Sequence, residues 1–129
     1  MPELTIYKTV TYTDPDSDTP YTMTARKVLN CETGQRSRYT LSNSSNTQIY
    51  ANATAGLTTA NPLYVAIKNV GAGSAYVLFN DGTSYFSHEI PTGAILDFFG
   101  EHIWGDTGTL TLVNIYARGS TELEIDVFM

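Results

Sequence analysis

The sequence predicts an all-β protein: a single jelly-roll-like antiparallel β-sandwich with an extended N-terminal strand or arm. Three observations predict it. Residues 122–129 alternate strictly, with Leu123, Ile125, Val127 and Met129 on one face and Glu122, Glu124 and Asp126 on the other. A half-buried strand requires that period of two, because successive side chains point to opposite sides of a sheet. Short apolar runs recur through residues 63–129 with turn chemistry between them. The composition is rich in Thr, Tyr, Val and Ile and poor in helix-forming runs of Ala, Glu, Lys and Leu, which favours strands. At 129 residues the chain is expected to form one sandwich domain, with an N-terminal arm and acidic turn over residues 1–20.

The elements follow in order. In residues 4–13, Leu4, Ile6, Val10 and Tyr12 share a face that Lys8 interrupts, while Thr5, Tyr7, Thr9, Thr11 and Thr13 line the other. Two prolines and three aspartates in residues 14–20 end this strand. Tyr21–Asn30 is a second extended run, residues 32–35 a turn, Ser37–Ser42 a strand and residues 43–46 a turn. Thr47–Ala55 is a weaker, edge-like strand. The core strands are Leu63–Val70, Ala75–Phe79, Ser84–Ile90, Ala94–Phe99, Leu110–Ala117 and Glu122–Met129. Glycines at 71, 73, 82 and 93 supply turns between them, and residues 101–108 form the longest loop, with Trp104 inside it. Leu63, Val65, Ile67, Val77, Phe79, Leu112, Leu123, Ile125 and Val127 are the expected core.

Charge narrows the partner classes. A net charge of −6 argues against general nucleic-acid binding, which needs cations to neutralise phosphates. Residues 1–50 balance Lys8, Arg26, Lys27, Arg36 and Arg38 against Glu3, Asp14, Asp16, Asp18 and Glu32, so residues 51–129 carry the whole excess. Such asymmetry suits directed docking, and equally a solvated acidic surface. No apolar stretch approaches the roughly 20 residues that span a bilayer, so no membrane partner is expected. Cys31 is the only cysteine, which fits a reducing compartment, and the N-terminus lacks the basic start and apolar core of a secretory signal.

No catalytic pattern stands out. Asp14, Asp16 and Asp18 begin like a calcium loop, but Thr19 stands where that loop wants glycine and Ala25 where it wants a bidentate glutamate; an exposed acidic turn is the simpler reading. His88-Glu89 and Glu101-His102 could supply zinc ligands only if the second pair folded over the strand, and neighbouring residues of one strand face opposite ways. A Gly-x-Ser-x-Gly elbow and a phosphate-binding loop are both lacking. No cofactor and no enzymatic activity are expected. Tyr7, Tyr12, Tyr21, Tyr39 and Tyr50, on the weaker strands, could face sugars or a protein.

Residues 63–71, Leu-Tyr-Val-Ala-Ile-Lys-Asn-Val-Gly, are followed by Ala75–Gly82, then Ile90-Pro91-Thr92-Gly93, then Val113–Ser120 with its Ile115-Tyr116-Ala117-Arg118-Gly119. This order resembles small β-sandwich virion proteins of tailed bacteriophages, the head decoration or cement proteins and related head-fibre and tail modules. The resemblance covers roughly the last half of the chain and rests on β-turn chemistry. It implies a phage virion structural protein made in the host cytoplasm and placed on the head surface. There it would bind the major capsid protein, bridge capsid subunits and form a dimer or trimer. The alternative it implies is a receptor- or carbohydrate-binding module of a head or tail fibre; an uncharacterised hydrolase ranks third.

The expected partner-binding residues lie in the first 40 positions: Tyr7, Lys8, Tyr12, Arg26, Lys27, Arg36, Arg38 and Tyr39. Tyrosine and arginine anchor interfaces through desolvated aromatic area and multiple directed donors, which suits an acidic partner surface. Residues 4–13 could equally complete a sheet of their own domain.

Overall fold

The structure is a computed structural model that describes residues 2–16, 19–51, 62–82, 85–100 and 112–129, with the backbone of 104–105 and 108–109. The chain divides into two compact units, Met1–Thr33 and Gly34–Met129.

The first unit is a β-ribbon. β1 (Glu3–Tyr12) and β2 (Tyr21–Asn30) pair antiparallel without interruption from Glu3↔Asn30 to Tyr12↔Tyr21. The Cys31 amide closes the open end by donating to the Pro2 carbonyl at 3.1 Å. The expected N-terminal strand therefore exists, but its sheet is completed by β2 alone among the described strands. Its apolar side is covered at one end only. Ile6 and Cys31 are buried and Leu4 is half-buried, while Val10 and Tyr12 stand in solvent.

The second unit is the predicted sandwich. Its strands are β3 (Gly34–Thr40), β4 (Thr47–Ala51), β5 (Tyr64–Asn69), β6 (Ala75–Asn80), β7 (Tyr85–Ile90), β8 (Ile95–Phe99), β11 (Asn114–Gly119) and β12 (Glu122–Phe128). A minimal hairpin of β9 (Trp104–Gly105) and β10 (Gly108–Thr109) sits in the stretch expected to be loop; two-residue strands are too short to show a period in sequence. The sheet orders are β3-β12-β5-β8 and β4-β11-β6-β7. Counting the eight sandwich strands in chain order, these are 1-8-3-6 and 2-7-4-5, the interleaving of two Greek keys that makes a jelly roll. All ladders are antiparallel.

The core lies between the two sheets. Val65, Ile67, Leu123, Ile125 and Val127 project from one, and Ile49, Tyr50, Ala75, Val77, Phe79, Ile115 and Ala117 from the other, with Leu41, Ile90 and Leu112 joining the cluster. β12 shows the predicted phase in full, buried at 123, 125 and 127 and half-buried at the alternating acids. Leu63, expected in the core, is only half-buried; it lies at the end of the sheet, one residue before β5, with its backbone bonded to Phe128 and Gly100.

β3 begins at Gly34, inside the expected turn, because β12 pairs with it over its whole length, from Glu122↔Thr40 to Phe128↔Gly34. Glycine suits the close approach there: a Cβ at position 34 would lie 2.8 Å from the Phe128 ring, which would have to shift. β4 carries a bulge. Ile115 pairs with Tyr50 and Tyr116 with Gln48, so Ile49 is the extra residue and both Ile49 and Tyr50 are buried.

Candidate functional site

The eight residues expected to bind a partner fall into two groups. Tyr7, Lys8, Tyr12, Arg26 and Lys27 lie on the ribbon, whereas Arg36, Arg38 and Tyr39 lie on β3 of the sandwich.

On the ribbon, residues opposite each other share a face. Tyr7 faces Arg26; the guanidinium carbon lies 5.9 Å from the ring centroid and Nε donates to the phenol oxygen at 3.5 Å. An exposed cation–π contact of this kind contributes about 0.5–1 kcal/mol. The other face carries the pairs Ile6↔Lys27, Lys8↔Ala25, Val10↔Met23 and Tyr12↔Tyr21. The last pair stacks with ring centroids 6.4 Å apart. Val10, Tyr12, Tyr21 and Met23 are between 60 and 74 % exposed, forming a continuous apolar patch with two lysines beside it. At the far end the Asp14 carboxylate accepts the Asp16 amide at 2.9 Å, a local turn contact; Asp18 lies outside the described residues.

The β3 arginines are engaged within the chain. Arg36 donates from Nε to Asp126 Oδ1 at 2.7 Å and from its terminal nitrogen to Oδ2 at 2.9 Å, a two-pronged contact. Its Nε also lies 3.5 Å from Glu124 Oε1, and Arg38 reaches Glu124 Oε2 at 3.0 Å. The hydrogen bond and charge of Asp126, followed by the charge of Glu124, push the Arg36 pKa above its ordinary value. Two of the eight acids in residues 51–129, Glu124 and Asp126, are thus engaged by arginines of the first part across the β3–β12 ladder. Tyr39 is half-buried and packs against the core.

Two surfaces were not anticipated. On the outer face of the β4-β11-β6-β7 sheet, Tyr116 pairs with Leu78 and its ring lies 6.4 Å from that of Tyr85, while Tyr76 stands further along the same face between Arg118 and Glu89. In sequence these tyrosines sit in strands that read as core; the signal was that they fall on alternate positions to Val77 and Ile115. The second surface is a cleft of about 290 Å³ between edge strands β3 and β4, floored by Ile125 and Val127. Tyr50, expected to be partly exposed, is buried at its wall, and burial pushes its phenol up to about 12.

Two of the four stretches that carried the virion resemblance, residues 63–71 and 90–93, meet at one buried side chain. Asn69 Nδ2 donates to the carbonyls of Gly73 (2.6 Å) and Ile90 (2.9 Å), and its Oδ1 accepts from the Gly71 amide (3.2 Å) and the Thr121 hydroxyl (2.7 Å). The Thr92 hydroxyl donates to the Gly71 carbonyl. Gly71 admits no side chain, since a Cβ there would lie 2.2 Å from Thr121 Oγ1. The motif residues Asn69, Gly71 and Ile90-Pro91-Thr92 are therefore architectural.

Metal-ligating side chains do not converge: among the described residues no three His, Cys, Asp or Glu groups are placed to hold an ion. His88 and Glu89 occupy adjacent positions on β7, and Glu101 and His102 lie outside the described residues. Cys31 is buried. No known protein family, curated protein or solved structure matches this chain.

Proposed function

We propose that this protein works by surface contact, as a structural component of an assembly, and that it acts without catalysis. The observation that carries this reading is the ribbon. Five of the nine exposed large hydrophobic side chains among the described residues, Tyr7, Val10, Tyr12, Tyr21 and Met23, belong to a single two-stranded hairpin. Such a hairpin is marginal in water, and the face that holds four of them, Val10, Tyr12, Tyr21 and Met23, gains from being covered by a partner. The occupant we assign is an acidic protein surface. β1 and β2 carry Lys8, Arg26 and Lys27 against the single acid Glu3, and Lys8 and Lys27 flank the apolar patch on its own face.

Within that class, the resemblance of residues 63–129 to phage virion proteins points to a head decoration or cement protein, with the major capsid protein as partner. The docking role itself rests on the ribbon. The second reading, a receptor- or glycan-binding module of a fibre, is favoured by the Tyr76–Tyr85–Tyr116 face.

Co-sedimentation of the purified chain with capsids of the virus encoding it tests the proposal. The Val10→Ser, Met23→Ser double variant should bind at least about tenfold more weakly, since two buried apolar anchors are worth a few kcal/mol. Undiminished binding by this variant overturns the ribbon's role. Particles lacking the protein should lose heat resistance; particles that stay heat-resistant but adsorb poorly to cells would replace cement with fibre.

A further inference from the structure

We propose that the cleft between β3 and β4 is a binding site for a neutral, hydroxyl-rich ligand the size of a single sugar ring. The inference goes beyond the ribbon's contact role and does not depend on it.

The first support is an anomaly in β3. Gln35 and Ser37 pair with Val127 and Ile125, so they lie on the inner-face side of this edge strand, where both remain exposed and line the open cleft. An inner-face position on a sandwich strand is normally apolar. Here an amide and a hydroxyl stand on a floor of two buried aliphatic residues, next to the half-buried ring of Tyr39. The outward face of the same strand is occupied by the Arg36 and Arg38 ion pairs, so β3 is polar on both sides.

The second support is the β4 bulge. By placing an extra residue opposite the Ile115–Tyr116 step, it buries Ile49 and Tyr50 together and brings both to the cleft wall. Bulges at sheet edges commonly re-aim side chains in this way. The phenol of Tyr50 remains protonated well above neutral pH.

The third support is charge. None of the nine described residues that line the cleft is Asp, Glu, Lys, Arg or His. Burying a charged ligand without a counter-charge is costly, so the site selects a neutral one. Amides and hydroxyls match the paired donors and acceptors of a sugar's hydroxyl groups, and an aromatic ring suits its C–H face. The volume, about 290 Å³, lies at the small end for ligand pockets and admits one ring.

An NMR titration of the full ¹⁵N-labelled chain tests this, with methyl glucoside, methyl galactoside, methyl mannoside and N-acetylglucosamine as probes and glucuronate as the charged control. At least one neutral probe should give saturable shifts centred on Gln35, Ser37, Tyr39 and Ala51, with glucuronate about tenfold weaker or more. Ser37→Val, which makes an inner-face position apolar, should raise the thermal midpoint while weakening binding at least about tenfold; Gln35→Leu should do the same if Ser37→Val fails to fold. If the inward polar groups serve only to guard the sheet edge, neither variant will have any binding to lose. Absence of saturable shifts with every neutral probe, shifts centred instead on Tyr76, Tyr85 and Tyr116, or binding that survives both substitutions would each overturn the proposal.

Discussion

The Thr121 hydroxyl donates to the Asn69 side-chain oxygen at 2.7 Å across 52 residues of sequence, and both groups are buried. With its two donated bonds and the Gly71 amide, Asn69 makes four hydrogen bonds, the full capacity of a primary amide with one bond per donor and lone pair. One side chain therefore ties the β5–β6 connection to the end of β7 and to the turn before β12.

Removing that amide should be severe. Asn69→Ala leaves four partners without their bond, two of them buried and two part-buried, and each unsatisfied buried group costs about 1–3 kcal/mol. Allowing for relaxation, we expect about 3–5 kcal/mol of lost stability in urea unfolding. A loss below about 1 kcal/mol would show that the four bonds are replaced by solvent.

Ile125 is 2 % exposed at the centre of β12. Ile125→Ala removes a buried aliphatic side chain and should cost about 2–5 kcal/mol. A variant that melts with the wild type would place Ile125 outside the core.

The Arg36–Asp126 and Arg38–Glu124 pairs lie on exposed guanidinium groups. Replacing both arginines with Ala should lower the thermal midpoint slightly in dilute buffer, and the difference should vanish in high salt, because exposed pairs are screened. Their loss should also leave partner binding unchanged if docking resides on the ribbon.

Stability should fall at alkaline pH. Tyr50 ionises at about 10 when unfolded and near 12 in the fold, because burial disfavours the phenolate. Tyr64 is raised by burial as well, then by its hydrogen bond to Asp97. Between those pH values the unfolded chain has lost the proton that the native chain retains, so unfolding binds fewer protons and stability drops as pH rises. Tyr50→Phe should flatten the decline above pH 10 in a urea–pH series; an unchanged slope would assign the effect elsewhere.

Much of the architecture was legible in the residues. Tyr21–Asn30 could be read to the residue, and the acid–apolar alternation of β12 announced both its faces. What could not be read was pairing. Gly34 looked like a turn glycine because only the Phe128 ring packed against it reveals its purpose. Arg36 and Arg38 looked available because the acids that engage them lie 90 and 86 residues away. The ribbon's alternation showed that one side was more apolar but carried no information on whether anything covered it. Ile49 and Tyr50 are adjacent in sequence, and a simple alternation would bury only one of them; the bulge explains why both are buried.

β12 has a consequence for how the protein must be made. It lies between β3 and β5 and pairs with both, so neither of those strands can complete its ladder until residues 122–128 arrive. A nascent chain that has emerged only as far as β11 would hold two unsatisfied strand edges, β3 and β5, in an otherwise half-built sheet. Such edges invite pairing with neighbouring chains, and the long sequence separations involved slow their closure. Truncation within β12, or a stalled ribosome just before it, would therefore convert the sandwich into an aggregation-prone intermediate, with more insoluble product than the intact chain gives.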